Sequence, residues 1–223
     1  MAYILNIETA TKNCSVALSK DGAIVLYKEM AEAGYSHAEK LHVFIEECLQ
    51  ELQITPKDLC AVAVSQGPGS YTGLRIGVSA AKGLCFAMDI PLISVDTLQV
   101  LASKLTISNG LIVPMIDARR MEVYSAIFNS ENQKIREVQA QIIDENSFGE
   151  SQETIHFLGD CLEKAKTVLT APNFVFHDDI VYPSAQEMGA LSYQKWKNND
   201  FEDVAYFEPY YLKDFLISAP AKK

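Results

Sequence analysis

Residues Cys60-Ala61-Val62-Ala63-Val64 are five apolar residues in a row, and no other stretch limits the possible folds as strongly. A run so short and valine-rich suits a strand covered on both faces, the middle of a sheet flanked by helices. A Gly67-Pro68-Gly69 turn follows, and then a pattern that predicts a helix from about 71 to 88. Upstream, Tyr3 to Glu8, Cys14 to Ser19 and Ala23 to Tyr27 read as three strands of a meander. Asp21-Gly22 supplies the positive φ of a tight hairpin turn between the second and third. A helix begins near Ser36, where Glu39 completes a capping box. At 100° per residue its residues Ala38, Leu41, Phe44, Ile45, Cys48, Leu49 and Leu52 share an arc of roughly 140°. Pro91 to Val95 is a further strand, with Asp96 or Thr97 capping a helix through Lys104.

The second half restarts this order. Leu111 to Asp117 is an apolar strand ending in an acid, as Ile4 to Glu8 is, and a turn leads to a strand over 122–128. Chance similarity between common hairpins would look the same, so the repeat suggests duplication without establishing it. Weaker signals mark a strand at Ile155 to Gly159, a helix over 161–169, a strand at Phe174 to Phe176 and a helix over 185–196.

Twenty-nine acids against 19 basic residues give a net charge of −10. Nucleic-acid affinity depends largely on neutralised phosphates, so tight unaided binding is not expected. Five widely spaced cysteines without a CxxC suit buried free thiols in a reducing cytosol rather than a zinc site. The start reads as a strand, not a signal peptide, and no run reaches the roughly 18 apolar residues of a membrane span.

Few residues suggest chemistry. The 66–73 turn opens a helix, where unpaired amides can hold an anion, yet it lacks the Lys-Ser/Thr of a phosphate-cradling loop. Glycines in a plain strand-to-helix turn explain it as well. Gly73, Gly77 and Gly83, with Ala80, Ala81 and Ala87, thin one side of the helix and imply close approach by a neighbour, inside the fold or from another subunit. His37 and His42 are five apart, about 140° around a helix, which disfavours a shared metal. Glu8 and Asp117 end corresponding strands but do not make a site alone. No catalytic set and no metal site is expected.

Ser65 to Gly77, with Gly67, Pro68, Gly69, Ser70, Thr72, Gly73, Arg75 and Gly77, resembles the central signature of the TsaB (YeaZ) family. The segment from Asp117 to Tyr124, with Arg119 and Glu122, is similar to its second signature; Met121 stands where the family commonly has Gly. Ser36 to Leu41 and Pro209 to Leu212 look like its helix start and tail, and the likeness is dense over 1–128 and sparse beyond. The resemblance implies an actin-like, Hsp70-like (ASKHA) α/β fold of two ribonuclease-H-like lobes, here 1–105 and a reduced 106–205, with the tail 206–223 returning to the first. It implies a non-catalytic scaffold in making the threonylcarbamoyl modification of adenosine beside the tRNA anticodon. Its partners would be a catalytic TsaD-type paralogue and a TsaE-type ATPase, with a homodimer in isolation and tRNA reached only through the complex. The interface expected on this basis is His37, Leu41, Phe44, Cys48, Tyr71, Leu74, Arg75 and Val78. No cofactor is expected on this chain alone, because Glu8-Thr9-Ala10-Thr11 lacks the glycine of nucleotide-binding relatives; a nucleotide at the subunit joint is compatible. The competing readings are a stand-alone kinase or ATPase of the same superfold and a ribonuclease-H-type metallonuclease, the latter opposed by the acidic charge.

Overall fold

A computed structural model describes residues 1–31 and 37–212. The expected capping box at Ser36 and the last eleven residues lie outside that range. The first half builds β1 (Tyr3–Glu8), β2 (Asn13–Lys20), β3 (Ala23–Ala31), α1 (His37–Glu51), β4 (Leu59–Gly67), α2 (Tyr71–Met88), β5 (Leu92–Asp96) and α3 (Thr97–Ala102). The second builds β6 (Leu111–Asp117), β7 (Glu122–Asn129), β8 (Lys134–Ile142), β9 (Ile155–Gly159), α4 (Leu162–Ala165), β10 (Phe174–Phe176) and α5 (Met188–Lys197).

The sheets have orders β3-β2-β1-β4-β5 and β10-β9-β6-β7-β8. In each, the first strand lies antiparallel to the second and parallel to the fourth, and the third pairs antiparallel with the second. The fifth strand adds parallel to the fourth in both. The two diagrams are superposable, so the strand-acid-turn-strand repeat is a duplicated unit rather than a chance likeness of hairpins. Asp21 and Gly22 take φ of 51° and 89°, the left-handed pair expected of the hairpin.

Helices α1 and α2 cover one face of the first sheet. Leu41, Phe44, Cys48, Val78, Ala81 and Cys85 pack there on Leu5, Ile7, Val62 and Val64. Burial of one such Leu or Phe contributes about 1.5–3 kcal/mol. Helix α3 joins the lobes: Val100 lies in the first lobe's core, whereas Leu98, Leu101 and Ala102 pack with Ile112, Phe128 and Leu158 of the second. Asp96 caps α3 through the amides of Leu98 and Gln99 at 2.8 and 3.2 Å, and accepts from Lys134 Nζ at 2.7 Å across the lobes. Phe157, ringed by Phe148, Phe174 and Phe176, centres the second core.

Two expectations need correction, and one strand is new. The helix foreseen over 161–169 is regular only at Leu162–Ala165. Strand β8 was not anticipated. Helix α5, expected within a second lobe ending at 205, covers the other face of the first sheet: Met188 and Leu191 join the core of Ile4, Ala17 and Ile93, and Ser192 Oγ donates to Asn6 Oδ1 at 2.7 Å. The chain crosses back near Pro183 and Ala185, where Asn13 Nδ2 and Ser15 Oγ meet its backbone. Among the described residues no helix is long and apolar enough to cross a membrane.

Candidate functional site

The glycine-rich signature is used up by contacts within the chain. Ser70 caps α2 by accepting from the Gly73 amide at 3.3 Å, and its own N–H donates to the Ala10 carbonyl at 2.6 Å. Thr9 Oγ1 donates to the Gly73 carbonyl at 2.8 Å. A Cβ on Gly69, Gly73 or Gly77 would come within 3.0 Å of atoms of Thr9 or Ala10, so only glycine lets α2 seat on the 9–11 turn. Glu8 Oε1 accepts the Ala10 amide at 2.6 Å, and His37 Nε2 lies 2.7 Å from the Thr11 carbonyl. The anion site considered at the start of α2 is therefore filled by the chain's own turn. Among the described residues, Gly83 is the helix glycine whose added Cβ would meet nothing within 4 Å.

Six of the eight residues expected at an interface are core instead. His37, Leu41, Cys48 and Leu74 are no more than 1% exposed, and Phe44 and Val78 are also buried. Leu41, Phe44, Cys48 and Val78 belong to the arc that packs on the first sheet. Tyr71 is half-buried and Arg75 exposed. The open surface lies one helical face further out. Between α1 and α2 is a concavity of about 730 Å³ lined by Ala38, His42, Tyr71, Arg75, Ser79 and Gly83, among others. On the same helix Phe86 is 85% exposed. Of these, the sequence singled out Gly83 as a place of close approach, but no interface was expected at Ala38, His42, Ser79 or Phe86. The available signal was Phe86, an aromatic away from the apolar stripe, beside a helix glycine with no internal neighbour.

The C-terminal segment borders this concavity. Lys82 Nζ donates to the carbonyls of Ala205 and Phe207 at 3.1 and 3.0 Å, and the Tyr210 amide donates to the Gln66 carbonyl at 2.7 Å. Tyr211 lies against Tyr71 with centroids 5.1 Å apart and ring planes tilted by 38°, and its hydroxyl lies 3.3 Å from Arg75 Nε, while the Arg75 guanidinium sits 4.4 Å over the Tyr71 ring.

The second signature forms the β6–β7 hairpin. Asp117 accepts from the Arg119 amide at 3.0 Å and pairs with Lys164, whose ammonium also donates to the Arg120 and Glu122 carbonyls. Glu122 and Tyr124 are half-buried on β7. Glu8, the matching acid of the first lobe, is fully buried, and burial pushes its carboxyl up to about 7 against the opposing effect of the Ala10 amide and the Ser65 hydroxyl. Among the described residues no three His, Cys, Asp or Glu side chains converge as metal ligands.

Duplicated five-stranded sheets joined through α3, with a helical pair exposed on the first, define a two-lobed α/β protein of the actin-like class. The fold is that of YeaZ from Pseudomonas aeruginosa, to which the chain is 23% identical with a TM-score of 0.84, covering 95% of this chain and 100% of that one. A family model described as "TsaD: tRNA N6-adenosine threonylcarbamoyltransferase" matches residues 31–156. The chain is 30% identical over 221 residues to "tRNA threonylcarbamoyladenosine biosynthesis protein TsaB" of Escherichia coli, covering 95% of this chain and 94% of that one. It is 31% identical over 175 residues to the protein of the same name from Bacillus subtilis, covering 78% and 71%. By contrast, a tRNA N6-adenosine threonylcarbamoyltransferase of Bacillus thuringiensis aligns over 107 residues at 38% identity, 41% of this chain and 31% of that one. The chain belongs to the TsaB family.

Proposed function

We propose that this chain takes part in the synthesis of threonylcarbamoyladenosine in tRNA, as a non-catalytic scaffold that pairs with a TsaD-type paralogue. The open concavity between α1 and α2, with Gly83 beside it and Phe86 exposed on the same helix, carries this reading. A helix glycine costs about 0.5–1 kcal/mol against alanine, and nothing among the described residues repays that at Gly83. Close approach by a helix of another subunit would. The transferase-family model matches residues 31–156, the stretch that holds α1 and α2, which supports a paralogue with a like helical pair. The non-catalytic part rests on the first lobe: Glu8 is buried and tied to Ala10, and α2 sits directly on the 9–11 turn. A TsaE-type ATPase joins the pair, tRNA is held by the complex, and any nucleotide lodges at the subunit joint rather than on this chain alone.

The test is reconstitution of tRNA modification from purified components. Omitting this chain should abolish product, and Ser79→Arg with Gly83→Arg should do the same while the chain stays folded. Full activity without the chain, or with the doubly substituted one, would contradict the reading.

A further inference from the structure

The chain has four arginines, and the structure treats them as two pairs. Arg75 lies over Tyr71 and bonds the Tyr211 hydroxyl. Arg136 donates to Ser125 Oγ at 2.7 Å and covers Phe148. Arg119 and Arg120 differ: both are exposed, and among the described residues neither guanidinium has a hydrogen bond, ion pair or ring contact. In a chain with 29 acids, two adjacent arginines left unpaired are an anomaly.

Their backbone sharpens it. Arg119 and Arg120 take φ of 72° and 51° at the tip of the β6–β7 hairpin. Two consecutive left-handed residues are ordinarily Asn-Gly, because a Cβ is disfavoured there. The Glu122 amide closes the turn on the Arg119 carbonyl at 3.1 Å. Lys164 holds it from below, donating to the carbonyls of Arg120 at 2.8 Å and Glu122 at 2.7 Å. The same ammonium pairs with Asp117 of the same hairpin. The tip is thus a fixed mount for two free guanidinium forks. Lys12, exposed on the corresponding turn of the first lobe, acts electrostatically on Asp160 of the second, which puts a further cation at this end of the molecule.

We propose that the Arg119–Arg120 turn contacts backbone phosphates of the tRNA in the modification complex, an inference that rests on the function proposed above. Arginine forks match phosphate geometry, and a rigid presentation lowers the ordering cost of binding. A chain of net charge −10 repels RNA elsewhere, so this contact works only when a partner supplies the rest of the positive surface.

The test uses the complex of this chain with its TsaD-type paralogue and fluorescently labelled tRNA, followed by anisotropy against salt. Arg119→Glu with Arg120→Glu should weaken binding about tenfold or more and reduce the salt slope by about 1–2, while co-elution with the paralogue is unchanged. Arg119→Lys with Arg120→Lys should keep most of the affinity. Arg119→Asn with Arg120→Gly should raise the melting temperature yet weaken RNA binding, a combination a purely structural turn would not give. Wild-type affinity and slope in the Glu variant would overturn the proposal, as would loss of pairing with the paralogue, which would make the tip a protein contact. If the wild-type chain does not pair with the paralogue at all, the proposed function falls and takes this inference with it. If it pairs and binds tRNA with or without the arginines, only the inference falls.

Discussion

Helix α2 contains three glycines, and alanine at two of them should have opposite effects. At Gly83 nothing lies within 4 Å of an added Cβ. Gly83→Ala should therefore gain helix propensity alone, about 0.5–1 kcal/mol, or about 1–4 °C in a domain this size. At Gly73 the same methyl would run into the Thr9 carbonyl oxygen, a backbone atom, at well under 3.0 Å. Relief requires moving α2 off the 9–11 turn and breaking the 2.8 Å bond from Thr9 Oγ1, and such overpacking costs about 1–3 kcal/mol. The assay is guanidinium unfolding followed by the single tryptophan, Trp196, which packs on the first lobe and so reports the unit containing α2. Gly83→Ala should shift the midpoint up and Gly73→Ala down, with the m-value unchanged. The pairing prediction runs the other way: the stabilising Gly83→Ala should weaken association with the paralogue. A destabilising Gly83→Ala in the monomer would refute the claim that this face is open. A loss that grows with protein concentration would show a second copy covering it.

Three further outcomes follow. The Glu8 carboxyl titrates near 7 when folded and near 4.5 when unfolded, so the folded state holds the extra proton between those values. Stability contributed by this group should fall as pH rises from about 4.5 to 7, by about 3 kcal/mol, and Glu8→Gln should remove that slope and stabilise the chain at pH 8; an unchanged slope in denaturation at pH 5 and 8 would refute it. Cys14, Cys48 and Cys85 are pushed up to about 11 by burial, so Ellman's reagent at pH 8 should leave them unreacted until denaturant is added. Calorimetry of ATP into the isolated chain should show no micromolar binding, and a micromolar constant would revive the stand-alone kinase reading.

The interior of this protein was more legible in its sequence than its exterior. The bounds of α2 follow from the Gly67-Pro68-Gly69 turn and the pattern from 71 through 88, and β1, β4 and β9 from apolar runs that must be buried. Strand β8 escaped because an edge strand, Lys134 to Ile142, is half solvated and its alternation is diluted by Arg136, Glu137, Gln139 and Gln141. Helix α5 was placed in the wrong lobe because periodicity shows that a face is buried but not against what. The same limit applies to the residues expected at an interface. Leu41, Phe44 and Leu74 form the strongest apolar pattern, and the strongest pattern belongs to the core. The proposed docking surface rests on weak signs, a helix glycine without a neighbour among the described residues and one exposed phenylalanine, which only the packed structure separates from the rest.

The central claim is that another subunit covers the outer faces of α1 and α2. Hydrogen–deuterium exchange of this chain with and without the TsaD-type paralogue tests it most directly. Added protection concentrated in peptides spanning 37–51 and 71–88, with β8 and β10 unaffected, is the result expected. Unchanged exchange in both helices, or protection confined to the second lobe, would contradict the account.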